Sequence, residues 1–560
     1  MSNQGRPARP EAGKVQGNRQ QNAGSAASSG KKGGTRTRSI AFSTVIMIIG
    51  LFFSKGSSFL RNILVAHVFD NTYRDAFIAA FLIPDFFFAL LVGGSIQSAI
   101  TPTLSRAIEQ KTLKKTWKGV SVFVTLMSIV LLVAILFGEI FSGALYNLFY
   151  QGKNPDVVRL AGNMARTLYP QIFFMMLAAL CIGVLNAYKK FGSTAFGPTI
   201  YNIGVLIAIF FLGASNPSHL YMTGVGIMAA AMVFFIFQLY MGRREVVHYK
   251  PSVDTHDPEF RRLFKLAVPI LISASIVQIN MLLLNSFASR FDEGSIYALN
   301  NASTLWQLPY GIFAVGIGNV MLPSLAALYS TKKYKDAGDL LGRSIKNALF
   351  LAVPCAGIFL ILRFDLVKAV YQWSSSYTDE NAEMAAMFLI GYCASIILQS
   401  VIFILNQAYY AIENTRFPLF AGVVSMIVNF GLCYLFVSVG MGPMSITIAY
   451  SISCAVRLAL LVVVYNRNKR LAPKNIRLFL VKSAVCLLVM MAGLYLIGLV
   501  PFSPSRKLFH LVWFGVQSLF GFVLYFATAF LLHMEELQAA YDKYIARFFR
   551  KKKPSSGPVR

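Results

Sequence analysis

From residue 40 to residue 533 the chain alternates long apolar runs with short polar segments. Val122–Phe137 and Ala484–Val500 contain no charged residue at all. A membrane β-strand would alternate apolar and polar residues over about 10 positions, and these runs do not alternate. Inside hydrocarbon every backbone amide needs a partner within its own segment, so each run predicts a helix. The pattern predicts fourteen spans, near 40–69, 75–104, 119–148, 158–187, 194–213, 219–241, 264–289, 296–328, 345–371, 382–411, 417–438, 443–465, 478–500 and 508–533. Several exceed the ~20 residues needed to cross, which predicts tilts or kinks. The expected fold class is an all-α polytopic membrane protein.

Composition agrees. Of 560 residues, 56% are hydrophobic and 13% charged, against roughly 25% charged in soluble domains. The net charge of +29 would suit a nucleic-acid binder only if the cations shared one folded face. They flank the apolar runs instead, so no nucleic-acid partner is expected. Cys181, Cys355, Cys393, Cys433, Cys454 and Cys486 all lie inside apolar runs, without a Cys-x-x-Cys pair. They read as small buried hydrophobes. The six histidines show no metal-ligand spacing, so no metal is expected.

Residues 1–38 are rich in Gly, Ser, Gln, Lys and Arg, and read as a disordered basic tail rather than a signal peptide. Lysines and arginines on this tail, the even-numbered connections and the tail from 534 number 40. The odd-numbered connections carry 8. That asymmetry predicts both termini on the cytoplasmic side of a bacterial inner membrane. The basic tail 534–560 would also touch anionic headgroups or serve only as a topology anchor.

The chain repeats itself. Ile83-Pro84 returns as Leu308-Pro309, an offset of 225, and Pro102-Thr103-Leu104 returns as Pro323-Ser324-Leu325, an offset of 221. Ala187-Tyr188 returns as Ala408-Tyr409, again 221 apart, and Phe196 as Phe417. Six spans separate equivalent points, so the halves are parallel repeats, a transporter arrangement with cargo between them. The expected organisation is an N-lobe at 39–242 (helices 1–6), a cytoplasmic linker at 243–263, and a C-lobe at 264–466 (helices 7–12). Two additional helices at 467–533 and the tail complete it.

Four cations remain inside spans: Lys55, Arg61, Arg166 and Arg457. Charge at depth is costly and marks function by default. Lys55 and Arg61 flank Gly56-Ser57-Ser58. Six residues rotate a straight helix by about 240°, so a kink there is needed to aim both into one cavity. Arginine grips phosphate as a planar fork and lysine as a point charge; the competing reading is that one or both snorkel to an interface. Asp75 would either pair with Arg61 or be a helix-start charge. Asp85 follows Pro84 at an expected kink. Asn300 is the uncharged counterpart of Asp75 at the 225 offset. Arg166 and Arg457 are further candidates, with Arg457 read chiefly as a packing or interface residue. Asn280, Asn285 and Asn301 suit interhelical hydrogen bonds. The acidic clusters Asp292-Glu293 and His256-Asp257-Pro258-Glu259 fall in loops, which disfavours a membrane enzyme.

The chain resembles the MurJ/MviN family of the multidrug/oligosaccharidyl-lipid/polysaccharide exporter superfamily. The resemblance is carried by Ser54-Lys55-x5-Arg61, Asp75-Ala76-Phe77-x3-Phe81-x-Ile83-Pro84, Gly93-Gly94-x3-Ser98-Ala99 and Pro102-x-Leu104-Ser105. Leu308-Pro309-x-Gly311-Ile312-Phe313 and Leu322-Pro323-Ser324-Leu325 extend it. It covers residues ~40–535 and is most specific over 54–105. It implies two six-helix lobes in a V, two C-terminal helices forming a lipid-facing groove, and alternating-access flipping of lipid II for cell-wall synthesis. It places substrate-binding cations on Lys55, where the family usually has arginine, and Arg61, with a gating or orienting acid on Asp75. The chain departs from the family at Phe88, Ala89 and Gly93, and at Thr304, where an arginine is expected. Those departures keep open a different polyprenyl-linked glycan, or a drug/cation antiporter; a non-transporting scaffold in wall assembly is the third reading. No cofactor is implied. Coupling to a monovalent cation or to the membrane potential is compatible with the fold, and the partners implied are the lipid-linked precursor, membrane lipids and cell-wall synthesis proteins.

Overall fold

The computed structural model describes residues 53–54, 56–92, 95–150, 154–467, 476–499 and 507–540. The tail 1–38, Lys55, and the chain from 541 lie outside the described residues. Among the described residues every regular element is helical.

The segment expected as the N-lobe holds α1 (56–68), α2 (Asn71–Leu91), α3 (Ser95–Glu109), α4 (Leu113–Phe149), α5 (Pro155–Ala187), α6 (Phe191–Leu212) and α7 (Pro217–Val246). After the linker come α8 (Pro258–Ala288), α9 (Ser295–Pro309), a π-helical turn (Tyr310–Val315), α10 (Gly316–Ser330) and α11 (Tyr334–Ile361). Then follow α12 (Arg363–Tyr371), α13 (Asp379–Ala411), α14 (Arg416–Ser438) and α15 (Met444–Arg467). The last elements are α16 (Ile476–Gly498), α17 (Lys507–Leu531) and the short α18 (Glu535–Ala540).

Eleven helical stretches among the described residues are long and apolar enough to cross a membrane. One of them runs continuously through α9, the π turn and α10. The other three expected spans fall on α1, on α2–α3 and on α8. The 75–104 run is not one helix, since α2 ends at Leu91. The 345–371 run is likewise two helices, broken at Leu362, and α11 begins eleven residues before the expected start. Hydropathy marks the apolar stretch, but α11 extends past it as a polar helix end. α4 does the same. Its 37 residues span about 55 Å, more than the ~30 Å of hydrocarbon, so its basic end at Lys114, Lys115 and Lys118 projects beyond. Large apolar side chains on the outer surface stay bare, among them Phe211 at 73% and Leu531 at 74% exposed. Lipid is the solvent that makes this favourable.

The internal repeat is written in the backbone. α3 ends with Lys111 at φ 56° and α10 with Lys332 at φ 58°, 221 residues apart. In both, the next amide reaches back five residues, Thr112 to the Ala107 carbonyl and Lys333 to the Leu328 carbonyl, each at 3.0 Å. α5 and α13 end the same way, through Lys189 (φ 61°) and Glu413 (φ 59°). Left-handed residues closing a helix by a six-to-one bond are Schellman caps. The second span of each half is also interrupted in both, after Leu91 and by the π turn.

α8, expected as the first C-lobe helix, packs along α2, α3 and α4 as well as against α14. Gly119 of α4 allows the close approach at one end: a Cβ there would lie 2.6 Å from the Glu259 Cβ and 2.7 Å from the Phe260 nitrogen. Asp257 caps α8, accepting the Glu259 amide at 2.9 Å and the Phe260 amide at 3.1 Å. The linker is strapped to α4 by Lys118, which bonds Asp254 at 2.9 Å, and by Ser121, which accepts the Lys250 amide at 3.1 Å. One hydrophobic cluster runs from the N-lobe into α9 and the first half of α13. A second holds α10, α11, the rest of α13, α15, α16 and α17 together. α16 lies against α11 and α17 against α12.

Candidate functional site

Arg61 sits on α1 and turns into the N-lobe. Its Nε is buried and has no hydrogen-bond partner. Asp85 of α2 and Tyr201 of α6 lie within its electrostatic reach. Pro84 supplies the local reason for Asp85, because proline removes one helical hydrogen bond and frees a turn of α2. Tyr201 donates to Gln171 Oε1 of α5 at 3.5 Å. α1 is held from the same side by Asn202, whose Nδ2 donates to the Ser54 carbonyl at 3.1 Å. The helix is unbroken over 56–68, so the expected interruption at Gly56–Ser58 is absent there. Ser57 instead returns its hydroxyl to the Phe53 carbonyl at 2.8 Å.

Consecutive helical residues point about 100° apart, and Asn62 accordingly faces the other lobe. Its Nδ2 donates to Thr304 Oγ1 at 3.1 Å and to Asn300 Oδ1 at 3.4 Å. Its carbonyl accepts the Tyr297 hydroxyl. Asn300 and Thr304, reached from the sequence by repeat offset and by a missing arginine, thus form an uncharged bridge between lobes.

Asp75 is buried at 3% exposure and does not pair with Arg61. Its two carboxylate oxygens accept the backbone amides of Gly294 and Tyr297, each at 2.8 Å. It therefore caps α9 of the opposite lobe. Neither expected role is the one observed: the carboxylate meets the N-terminus of α9 and not that of its own helix. Desolvating a carboxylate this fully is tolerable because two amides and a helix N-terminus meet it. Arg74, completely buried, donates to the Ala66 carbonyl at 2.7 Å and to Ser376 Oγ at 3.1 Å, under the rings of Tyr297 and Tyr377. Glu293 accepts from Thr72 at 2.8 Å and from Asn154. Ser286 donates to the Phe149 carbonyl. These inter-lobe bonds gather at one end, the one opposite the basic loops.

The remaining candidates fall elsewhere. Arg166 is exposed, with Glu139 of α4 within its electrostatic reach. Asn285 is buried and returns its amide to the Met281 carbonyl at 2.8 Å. Asn280 accepts from Asn429 at 2.8 Å, an interhelical bond as expected. Arg457 is more than a packing residue, because it lines a cavity of about 580 Å³ inside the C-lobe. Among the described residues no group of three or more His, Cys, Asp or Glu side chains is placed to hold a metal.

Sequence reasoning missed Arg74, Glu293 and Tyr297. In the sequence Arg74 is one of the eight cations of the odd-numbered connections, and Asp292-Glu293-Gly294 reads as an ordinary turn. Arg74 next to Asp75, two opposite charges where a span begins, was the available signal.

Residues 64–515 match the family model described as lipid II flippase MurJ. The chain belongs to this family. MurJ proteins are lipid transporters, not catalysts, and the multi-pass helical fold fits that class. A probable lipid II flippase MurJ of Rickettsia prowazekii is 25% identical over 501 residues, covering 88% of this chain and 97% of its own. The lipid II flippase MurJ of Burkholderia cenocepacia is 25% identical, covering 73% of this chain and 80% of its own. Among solved structures, one titled "Lipid II flippase MurJ, inward closed conformation" superposes with TM-score 0.73 at 24% identity. It covers 87% of this chain and 99% of that one. An inward-facing MATE-family multidrug transporter follows at TM-score 0.59 and 17% identity, over 75% and 98%. These two likenesses concern the fold. The MurJ match begins after Arg61, so Lys55 and Arg61 lie N-terminal to it.

Proposed function

We propose that this chain carries the lipid-linked peptidoglycan precursor, lipid II, from the cytoplasmic to the outer leaflet by alternating access. Membership of the MurJ family supports the cargo. The observation that carries the mechanism is the gathering of inter-lobe hydrogen bonds at the end bearing Asp75, Arg74 and Glu293. With both termini cytoplasmic, as the charge asymmetry predicts, that end is the outer one, and cargo enters from the basic side.

Arg61 is the residue to hold the pyrophosphate. Its Nε is unpartnered and its guanidinium offers the planar fork that phosphate accepts. Lys55, outside the described residues, is the expected second cation. Asp85 shares the electrostatic field of Arg61 and competes with phosphate for it. Release outward requires the Asp75 cap on α9 to break, which makes Asp75 a gating residue. Each charge crossing the membrane potential is worth ~2.3 kcal/mol per 100 mV, enough to bias such a cycle, and a monovalent cation moving down its gradient would do the same.

Depletion of the protein in its native cell tests the reading. Lipid II should accumulate on the cytoplasmic leaflet, and Arg61→Ala should fail to restore it while inserting normally. Unchanged lipid II beside another stalled polyprenyl-linked glycan would overturn the cargo assignment.

A further inference from the structure

The C-lobe cavity holds a positive charge that no carboxylate of the described residues balances. α15 carries Arg457 ten residues before its end, about 15 Å into the span. Among the described residues Arg457 is the only charged one lining the cavity, which α8, α9 with its π turn, α13, α14 and α15 line. Among the described residues no carboxylate forms an ion pair with it. Arg457 Nε and Asn406 Oδ1 are both buried without a hydrogen-bond partner. Gly422 leaves the space beside the guanidinium open, since a Cβ there would sit 3.7 Å from Nη2. A cation at this depth normally finds a counter-charge within the protein. Here its other neighbours are tyrosines and amides, among them Tyr310, Tyr410 and Gln399.

We infer that the Arg457 cavity is a second oxyanion-binding site, which takes the phosphate or carboxylate of an amphiphile. A volume of about 580 Å³ suits a headgroup-sized ligand. The arginine fork supplies charge and direction. Turning the Asn406 amide presents its donor to the same oxyanion. Met281, Phe403 and Met426 on the wall receive the apolar part. Arg61 and its neighbours Asp85 and Tyr201 belong to the N-lobe, so this site is separate from theirs. Two sources carry this chemistry: the transported lipid itself, and anionic phospholipid of the bilayer.

The test uses the full chain in phosphatidylcholine nanodiscs, titrated in one arm with dihexanoyl phosphatidic acid and in the other with lipid II. Trp306 lines the cavity and reports occupancy by fluorescence; Trp306→Phe should remove the signal. Arg457→Gln should weaken phosphatidic acid by at least about tenfold, the worth of one charged hydrogen bond. Arg457→Lys should lose less, and Arg343→Gln, at an exposed position outside the cavity, should bind as the parent protein does. Weakening of lipid II as well assigns the site to cargo, and weakening of phosphatidic acid alone assigns it to bilayer lipid. Gly422→Met, which fills the space beside the guanidinium and keeps the charge, gives the same answer should Arg457→Gln fail to fold. Unaltered binding of both probes by Gly422→Met or Arg457→Gln, or no binding by the parent protein, overturns the inference.

Discussion

Asp75 and Tyr297 belong to different lobes, and the Asp75 carboxylate accepts the Tyr297 backbone amide at 2.8 Å. A second bond of 2.8 Å runs to Gly294. An N-cap supplied from another domain stabilises the helix only while the two domains touch. It therefore stabilises one conformation of the transporter rather than the fold as a whole. Removing such a cap costs ~1–2 kcal/mol, which shifts a two-state equilibrium roughly 5- to 30-fold. Asp75→Ala should open the outer end by that factor. The check is crosslinking by a short bifunctional thiol reagent between Thr72→Cys and Glu293→Cys, two positions whose side chains hydrogen-bond at 2.8 Å. Its yield should fall in the Asp75→Ala background, and Asp75→Asn should fall between. An unchanged yield would show that the cap does not hold the end closed.

Gly294 precedes α9 at φ 89°, in the left-handed region. A Cβ there would also meet Asn381 Oδ1 at 3.2 Å. Gly294→Ala should cost ~1–2 kcal/mol and displace the amide that Asp75 accepts. The expected outcome is a lower melting temperature together with the same loss of the Thr72–Glu293 crosslink. A lower melting temperature with the crosslink intact would place the strain outside the latch.

Arg61 and Asp85 make opposite predictions. Arg61→Lys keeps a charge but loses the fork, so it should retain part of the lipid II affinity that Arg61→Ala loses. Asp85→Asn removes a competitor for the guanidinium, so it should tighten lipid II binding and slow turnover. Titration of lipid II into the purified variants separates these outcomes. Weaker binding by Asp85→Asn would mean that the acid orients Arg61 instead of competing for it.

The linker strap has a pH dependence of known sign. A hydrogen bond from Lys118, then the His256 amide, holds the Asp254 carboxyl below its usual range. A carboxyl depressed in the folded state contributes stability above its unfolded pKa and loses it as pH falls through the folded value. The strap should thus stay intact from neutral pH down to the ordinary aspartate range near ~4 and loosen only below it. Hydrogen exchange of residues 247–257 across that window reads this out, and Asp254→Asn should abolish the pH dependence. Loosening at pH 6 would assign it to another group.

Much of this architecture was legible without coordinates. Every expected span has a helix at its position among the described residues, because lipid allows a continuous apolar run no other backbone. The offset of 221 residues that linked Pro102 to Pro323 also links the caps at Lys111 and Lys332. The site was legible only in part. Arg61, Asp75, Asn300 and Thr304 were identified as residues, and their partners Asn62, Tyr201, Gly294 and Tyr297 were not. Spacing along a helix says which residues share its face, but not which other helix that face meets.

The sequence by itself determined that the chain is a helical membrane protein with an internal repeat, since hydropathy and repetition are one-dimensional signals. The tertiary structure alone decided that Asp75 caps α9 across the lobes, that Arg61 lies near Asp85, and that Arg457 lines a cavity. Those facts depend on which helices come together, neighbours 24 residues apart for Arg61 and Asp85 and helices 222 residues apart for Asp75 and Tyr297. A carboxylate deep in a membrane protein takes whichever donors its neighbours present, and only packing chooses the neighbours.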